Sequence, residues 1–167
     1  MLILVTGLTG AGKTTYCQSF IKEHKAKYFS IDNWMKSLYW QDMPEEPDID
    51  WFVENQKWYT DRMKRCEFLI RKEAQALLEI GVTVLLDLGF TSRESRGEYI
   101  QFARNLKKDV EIHFLDVDKE IRWQRVEKRN QGTSESYAMQ VSRDMFDYIE
   151  SVFEPFSDEE KEILNKV

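Results

Sequence analysis

Apolar residues come along this chain in two alternating rhythms. Short β-rich runs at residues 1–6, 27–31, 82–87 and 110–116 have the length and side-chain character of strands in a sheet buried on both faces. Between the second and third runs, over residues 51–80, Cys66, Leu69, Ile70, Ala74, Leu77 and Leu78 recur three and four apart while charged residues fill most intervening positions. That spacing predicts an amphipathic helix, which Gly81 closes as the residue just past the C-cap. Helices are also predicted over 13–24, 93–107, 118–129 and 136–150, and a short edge strand over 163–167. Strand runs alternating with helical patterns define an α/β chain: a parallel sheet with helices on both faces. Residues 41–50, QDMPEEPDID, hold two of the three prolines and five acidic residues, which predicts a solvent-facing loop into the long helix. Nothing marks an internal boundary, so residues 1–167 read as a single domain.

Composition narrows the classes. At 167 residues and 42% hydrophobic, the chain is sized for one substantial core. Its net charge of -6 and pI near 5.1 argue against a general nucleic-acid binder, which needs positive charge to displace phosphate counterions. Cys17 and Cys66 lie in helical patterns and form no CxxC pair, so neither a disulfide framework nor a zinc site is expected. The apolar run Met1 to Val5 is too short for a secretory core, and no later segment approaches the roughly 18 apolar residues that span a bilayer. The expectation is a cytoplasmic protein with no membrane partner; nothing speaks to its oligomeric state.

The strongest chemical signal is TGLTGAGKTT at residues 6–15, directly after the first strand run and before a helical pattern. Gly7, Gly12, Lys13 and Thr14 fill the G-x-x-x-x-G-K-[ST] template, and Thr9, Gly10, Ala11 and Thr15 complete the loop. Such a loop turns its amide N–H groups inward around phosphate oxygens, at distances a Cβ would obstruct. Lys13 is then expected on the β- and γ-phosphates and Thr14 on Mg²⁺, with ATP as the nucleotide. A phosphate loop does not say where the phosphate goes. No Asn-Lys-x-Asp guanine-reading string is present, and 167 residues leave little room for a ring-forming motor, so a small kinase leads.

Candidate acceptor-side residues sit at the ends of strands, where an open α/β sheet presents its ligand crevice. Asp32 follows the second strand and is positioned to accept the proton of an attacking hydroxyl; its alternative role is capping the helix expected from Asn33 or Trp34. Asp87 ends the apolar run Val82 to Leu86 and is a candidate for holding Mg²⁺ or the acceptor; which of Asp32 and Asp87 is the base stays open. Thr91 and Glu94 are spaced as a capping box, which puts Arg93 and Arg96 in the first turns of a helix, where the dipole disfavours cations; phosphate or an anionic substrate would account for them, and solvated surface arginines are the alternative. Arg122, Arg125 and Arg129 share one face of the helix over 118–130, within a segment, 119–130, of five basic and two acidic residues, as an arginine face over a triphosphate requires. Trp34, Tyr39, Trp40, Trp51, Phe52, Trp58 and Tyr59 fall within 26 residues. Trp34 is a candidate stacking residue for a ring-bearing acceptor, against the simpler reading of a packed helical cover. His24 and His113 match no metal-ligand spacing.

Taken in order, GLTGAGKT, SIDNWM, VLLDLGFTSRESR, EIRWQRVEKRN and FEPF resemble the small P-loop kinases related to zeta toxin, chloramphenicol phosphotransferase and the polynucleotide 5′-kinase domain, and above all the bacterial ATP-binding proteins labelled predicted kinases. The resemblance covers nearly the whole chain. It implies a three-layer P-loop fold with strand order 2-3-1-4-5, Lys13 and Thr14 on ATP·Mg²⁺, Asp32 as general base, residues 33–60 as acceptor cover, and a lid over 118–136 carrying Arg122, Arg125 and Arg129. Polynucleotide kinases of this group place an arginine just after the catalytic aspartate; here Trp34, Met35 and Lys36 follow Asp32. With the acidic 41–50 loop, that departure makes a nucleic-acid acceptor unlikely and a small-molecule hydroxyl the expected one. Phe156 likewise replaces the second proline of the usual Phe-Glu-Pro-Pro. The alternatives are a regulatory module that hydrolyses ATP slowly, or a polynucleotide 5′-kinase-like activity.

Overall fold

The computed structural model describes residues 1–44, 47, 49–132 and 140–167. The strands are β1 (Leu2–Thr6), β2 (Ala26–Ser30), β3 (Thr83–Asp87), β4 (Val110–Phe114) and β5 (Leu164–Lys166). They pair in parallel in the order β2-β3-β1-β4-β5, as the resemblance implied. The helices are α1 (Lys13–Glu23), α2 (Ile31–Tyr39), α3 (Ile49–Glu54), α4 (Gln56–Glu79), α5 (Arg93–Asn105), α6 (Lys119–Asn130), α7 (Arg143–Ser151) and α8 (Asp158–Lys161), with a 3₁₀ turn at Trp40–Asp42.

Period-two alternation divides the central strands between two cores. Leu2, Leu4, Val84, Leu86 and Phe29 face Ile70, Ala74 and Leu78 of α4 and Tyr99, Phe102 and Ala103 of α5. Ile3, Val5 and Leu85 face Cys17 and Ala11 on the α1 side, with Tyr16, Phe20 and Tyr28 at its margin. Strands covered on both faces lose the polar half of the usual alternation, which is why Leu2 to Val5 and Val84 to Leu86 read as unbroken apolar runs.

Four boundaries differ from the sequence expectation. The stretch over 51–80 is two helices, α3 and α4, separated at Asn55. α4 ends as expected: Gly81, at φ 85°, donates to the Leu78 carbonyl and Val82 to the Leu77 carbonyl, a Schellman closure. α2 begins at Ile31 with no intervening loop, because the Ser30 hydroxyl accepts the Asn33 N–H and caps it. The cap of α5 is Ser92, which accepts the Ser95 N–H, so Thr91 and Glu94 form no capping box. The helix expected over 136–150 is α7, capped by Ser142; residues 136–139 lie outside the described residues. A true capping box closes α8, with Ser157 and Glu160 bonding each other's backbone N–H.

Candidate active site

The loop after β1 is built by backbone geometry that only glycine adopts cheaply. Gly12, at φ 98°, caps α1 in the left-handed region, and Gly10, at φ 82°, lies where a Cβ would come within 2.4 Å of the Arg122 carbonyl oxygen. α6 therefore packs directly on the loop. The Lys13 ammonium donates to the Gly7 carbonyl at 2.8 Å, which folds the lysine back along the loop it must serve.

Strand register brings the carboxylates together. Ser30 and Asp87 are Cα partners in the β2–β3 pairing, and Asp32 follows Ser30 by two residues in the first turn of α2. Since Ser30 takes the cap, the alternative role of Asp32 falls away, and its exposed carboxylate is left for other chemistry. Asp87 is buried, at 7% exposure. Burial pushes its carboxyl up to about 6; the Lys13 charge and a hydrogen bond from Tyr28 pull it down, and the Asp32 charge pushes it further up. The Asp87 carboxyl thus feels both the loop lysine and Asp32. Tyr59 on α4 joins them: its hydroxyl is pushed up to about 12 by burial first and then by the negative charge of Asp32.

Tyr28 was not singled out by any motif. Its hydroxyl donates to Asp87 Oδ2 at 3.4 Å. The only sequence signal was its parity: two residues before Ser30, it points to the same face of the sheet as the end of β3.

The three arginines of α6 separate into different roles. Arg122 is buried; it makes a two-oxygen ion pair with Glu150 of α7 at 2.8 and 3.0 Å and donates to the Val117 and Thr9 carbonyls. That network makes it a clamp joining α6, α7 and the loop. Arg125 is exposed and its Nη1 donates to the Gly10 and Ala11 carbonyls at 3.4 and 3.2 Å, placing a cation over the loop. Arg129 is half-buried one turn further along α6.

Arg96 and Arg93 both contact the segment after α7. Arg96 is fully buried and every guanidinium nitrogen is engaged: Nε and Nη2 on Glu160, Nη1 on the Phe90 and Thr91 carbonyls, Nη2 also on the Glu154 carbonyl. A cation so satisfied has no donor left for a substrate. The Arg93 Nε donates to the Pro155 carbonyl at 2.7 Å. Both residues thus serve to dock the Phe-Glu-Pro-Phe segment, and Phe156 stacks under Arg96 at 4.8 Å, which accounts for an aromatic ring at this position. Trp34 is half-buried, packed on the core and 6.4 Å from the Phe29 ring. The neighbouring aromatics pair with one another: Trp51 and Tyr39 edge-on to Trp58, Phe52 to Tyr59, and Arg62 over Trp58 at 3.7 Å. They form a packed cover.

The donor set fits magnesium. Thr14 offers a hydroxyl oxygen and Asp87 a carboxylate, the hard oxygen ligands that Mg²⁺ takes in small number while keeping waters and phosphate oxygens. Among the described residues no cluster of three or more His, Cys, Asp or Glu side chains forms a dedicated metal cage.

A parallel sheet in this order, with a glycine-cornered loop leading from the central strand into the N-terminus of α1, defines a P-loop nucleotide-binding fold of the α/β class. The chain belongs to the AAA domain family AAA_33, whose match spans residues 2–156. Among solved structures it is similar to a chain of the Pnkp1/Rnl/Hen1 RNA repair complex, with a TM-score of 0.68 at 17% identity over 96% of this chain and 45% of that one, so it spans less than half of that relative. It is also similar to Kti12 from Chaetomium thermophilum, solved in complex with ADP-AlF3, with a TM-score of 0.69 at 17% identity over 100% and 88% of the two chains. A sugar kinase from Janibacter sp. HTCC2649 gives 0.61 at 16% identity over 99% and 83%. At these identities the likeness is one of fold, and it is the fold of the small P-loop kinase group. No curated protein matches the chain. No helix among the described residues is long and apolar enough to cross a membrane.

Proposed function

We propose that the protein is an ATP-dependent phosphotransferase that moves the γ-phosphate to a hydroxyl of a small-molecule acceptor. The observation that supports this reading is the register of β2 on β3, which pairs Ser30, two residues before Asp32, with the buried Asp87, whose carboxyl feels the charges of both Asp32 and Lys13. A loop that only grips phosphate needs no second carboxylate at its mouth; a transfer reaction needs a group to receive the acceptor proton.

In this reading the loop amides and Lys13 bind the β- and γ-phosphates, Thr14 and Asp87 hold Mg²⁺, and Asp32 accepts the proton of the attacking hydroxyl while orienting it. Mg²⁺, when bound, neutralises charge on the phosphates. Arg125 supplies positive charge as the phosphoryl group leaves, and Arg129 belongs to the same helix face. Tyr59 and the aromatic cover of α2, α3 and α4 exclude water from the acceptor side.

The test incubates the protein with ATP·Mg²⁺ and a panel of sugars, nucleosides, aminoglycosides and RNA 5′ ends, followed by phosphorus NMR. A phosphorylated small molecule is expected. Phosphorylated RNA ends would transfer the protein to the polynucleotide class, and inorganic phosphate alone would leave a slow ATP-hydrolysing module.

A further inference from the structure

The Asp87 carboxylate at the end of β3 is held from another element, β2. The Tyr28 ring packs at the margin of the α1-side core, and its hydroxyl donates to Asp87 Oδ2 at 3.4 Å. We propose that Tyr28 is a positioning residue that holds the Asp87 carboxylate in the orientation in which it is offered to the nucleotide-bound magnesium ion. The proposal rests on the nucleotide reading above.

The chemistry of the position requires a hydroxyl and not merely a ring. Phe29, the next residue on β2, shows that the strand packs a plain ring on its other face. On the α1 face, a phenol oxygen is taken out of water, a cost recovered only through hydrogen bonds, and here its partner is the Asp87 carboxylate. A donor to Asp87 also holds that carboxylate in one orientation. Outer-shell partners of this kind commonly change metal affinity by about 10- to 100-fold when removed, because ligand orientation is lost while the ligands remain.

Tyr28→Phe keeps the ring and removes the donor. Binding of a fluorescent, non-hydrolysable ATP analogue is titrated in EDTA and then across a Mg²⁺ series. The expected result is affinity in EDTA within about two-fold of wild type and a rise of about ten-fold in the Mg²⁺ concentration that gives half of the metal-dependent gain. In an Asp87→Asn background, Tyr28→Phe should add less than about two-fold, since the partner it acts through is already gone. That background also keeps the comparison readable should the single variant lose stability, because it removes the buried charge. An unchanged Mg²⁺ midpoint, an equal loss in EDTA, or a full ten-fold effect in the Asp87→Asn background would overturn the role of Tyr28 while leaving nucleotide binding intact. Wild-type protein that binds no analogue under any condition would overturn the nucleotide reading itself, and this role with it.

Discussion

Ser30 and Asp87 are partners across the β2–β3 ladder, so the residue that caps α2 stands beside the buried carboxylate that ends β3. Because the serine satisfies the Asn33 N–H, Asp32 is released from capping at the point where the strand turns into the helix. Asp32→Asn should then lower kcat on the acceptor found in the panel by about 10²–10⁴ while nucleotide affinity stays within a few-fold. A coupled assay and a nucleotide titration measure the two; wild-type turnover in the variant would remove Asp32 from the proton transfer.

Burial of Asp87 carries a pH signature in the metal-free protein. Its carboxyl is raised from 3.8 to about 6, so the folded state holds the proton more tightly than the unfolded state. Between those values the folded protein binds more protons than the unfolded one, and stability from this group falls as pH rises from about 4 through 6. At neutral pH the buried charge costs up to about 3 kcal/mol. Asp87→Asn should therefore raise the melting temperature at pH 7 and flatten this part of the stability profile. Melting curves from pH 4 to 8 check it, and a variant less stable than wild type at pH 7 contradicts it.

The Arg96–Glu160 pair predicts a stability effect without a catalytic one. Removing one partner strands a buried charge, so Glu160→Ala should destabilise the fold by about 3–5 kcal/mol. Denaturant unfolding measures the loss. Below the unfolding transition, nucleotide affinity should match wild type, since Arg96 offers no donor to the loop. A specific loss of acceptor turnover in well-folded protein would return Arg96 to the site.

Arg122 and Arg125 are three residues apart on α6 and should behave oppositely. Arg122→Ala removes the clamp to Glu150 and Thr9 and should lower stability by several kcal/mol. Arg125→Ala should melt within a few degrees of wild type yet lose about 10-fold or more in kcat. Equal melting temperatures with equal losses of turnover would restore the two as a matched catalytic pair.

Much of the site was legible in the chain. The phosphate loop declares itself because its demands are local: glycine where a Cβ would collide, a lysine and a threonine at fixed offsets, an apolar strand before and a helix after. The strands were legible because burial on both faces leaves continuous apolar runs. Arg96 and Arg122 were read as functional because a cation at an odd place on a helix looks the same whether it awaits a substrate or a distant glutamate. Their partners, Glu160 and Glu150, lie 64 and 28 residues away, and no spacing rule relates them.

Local chemistry in the sequence determined the fold class, the phosphate loop and the candidacy of Asp32 and Asp87, since each rests on residues within one strand, turn or helix. Tertiary structure decided which arginines are spent in buried ion pairs, that the aromatics cover one another, and that a tyrosine from β2 reaches Asp87. Those outcomes depend on register and packing between elements far apart in the chain, where side-chain type alone carries no information about its partner.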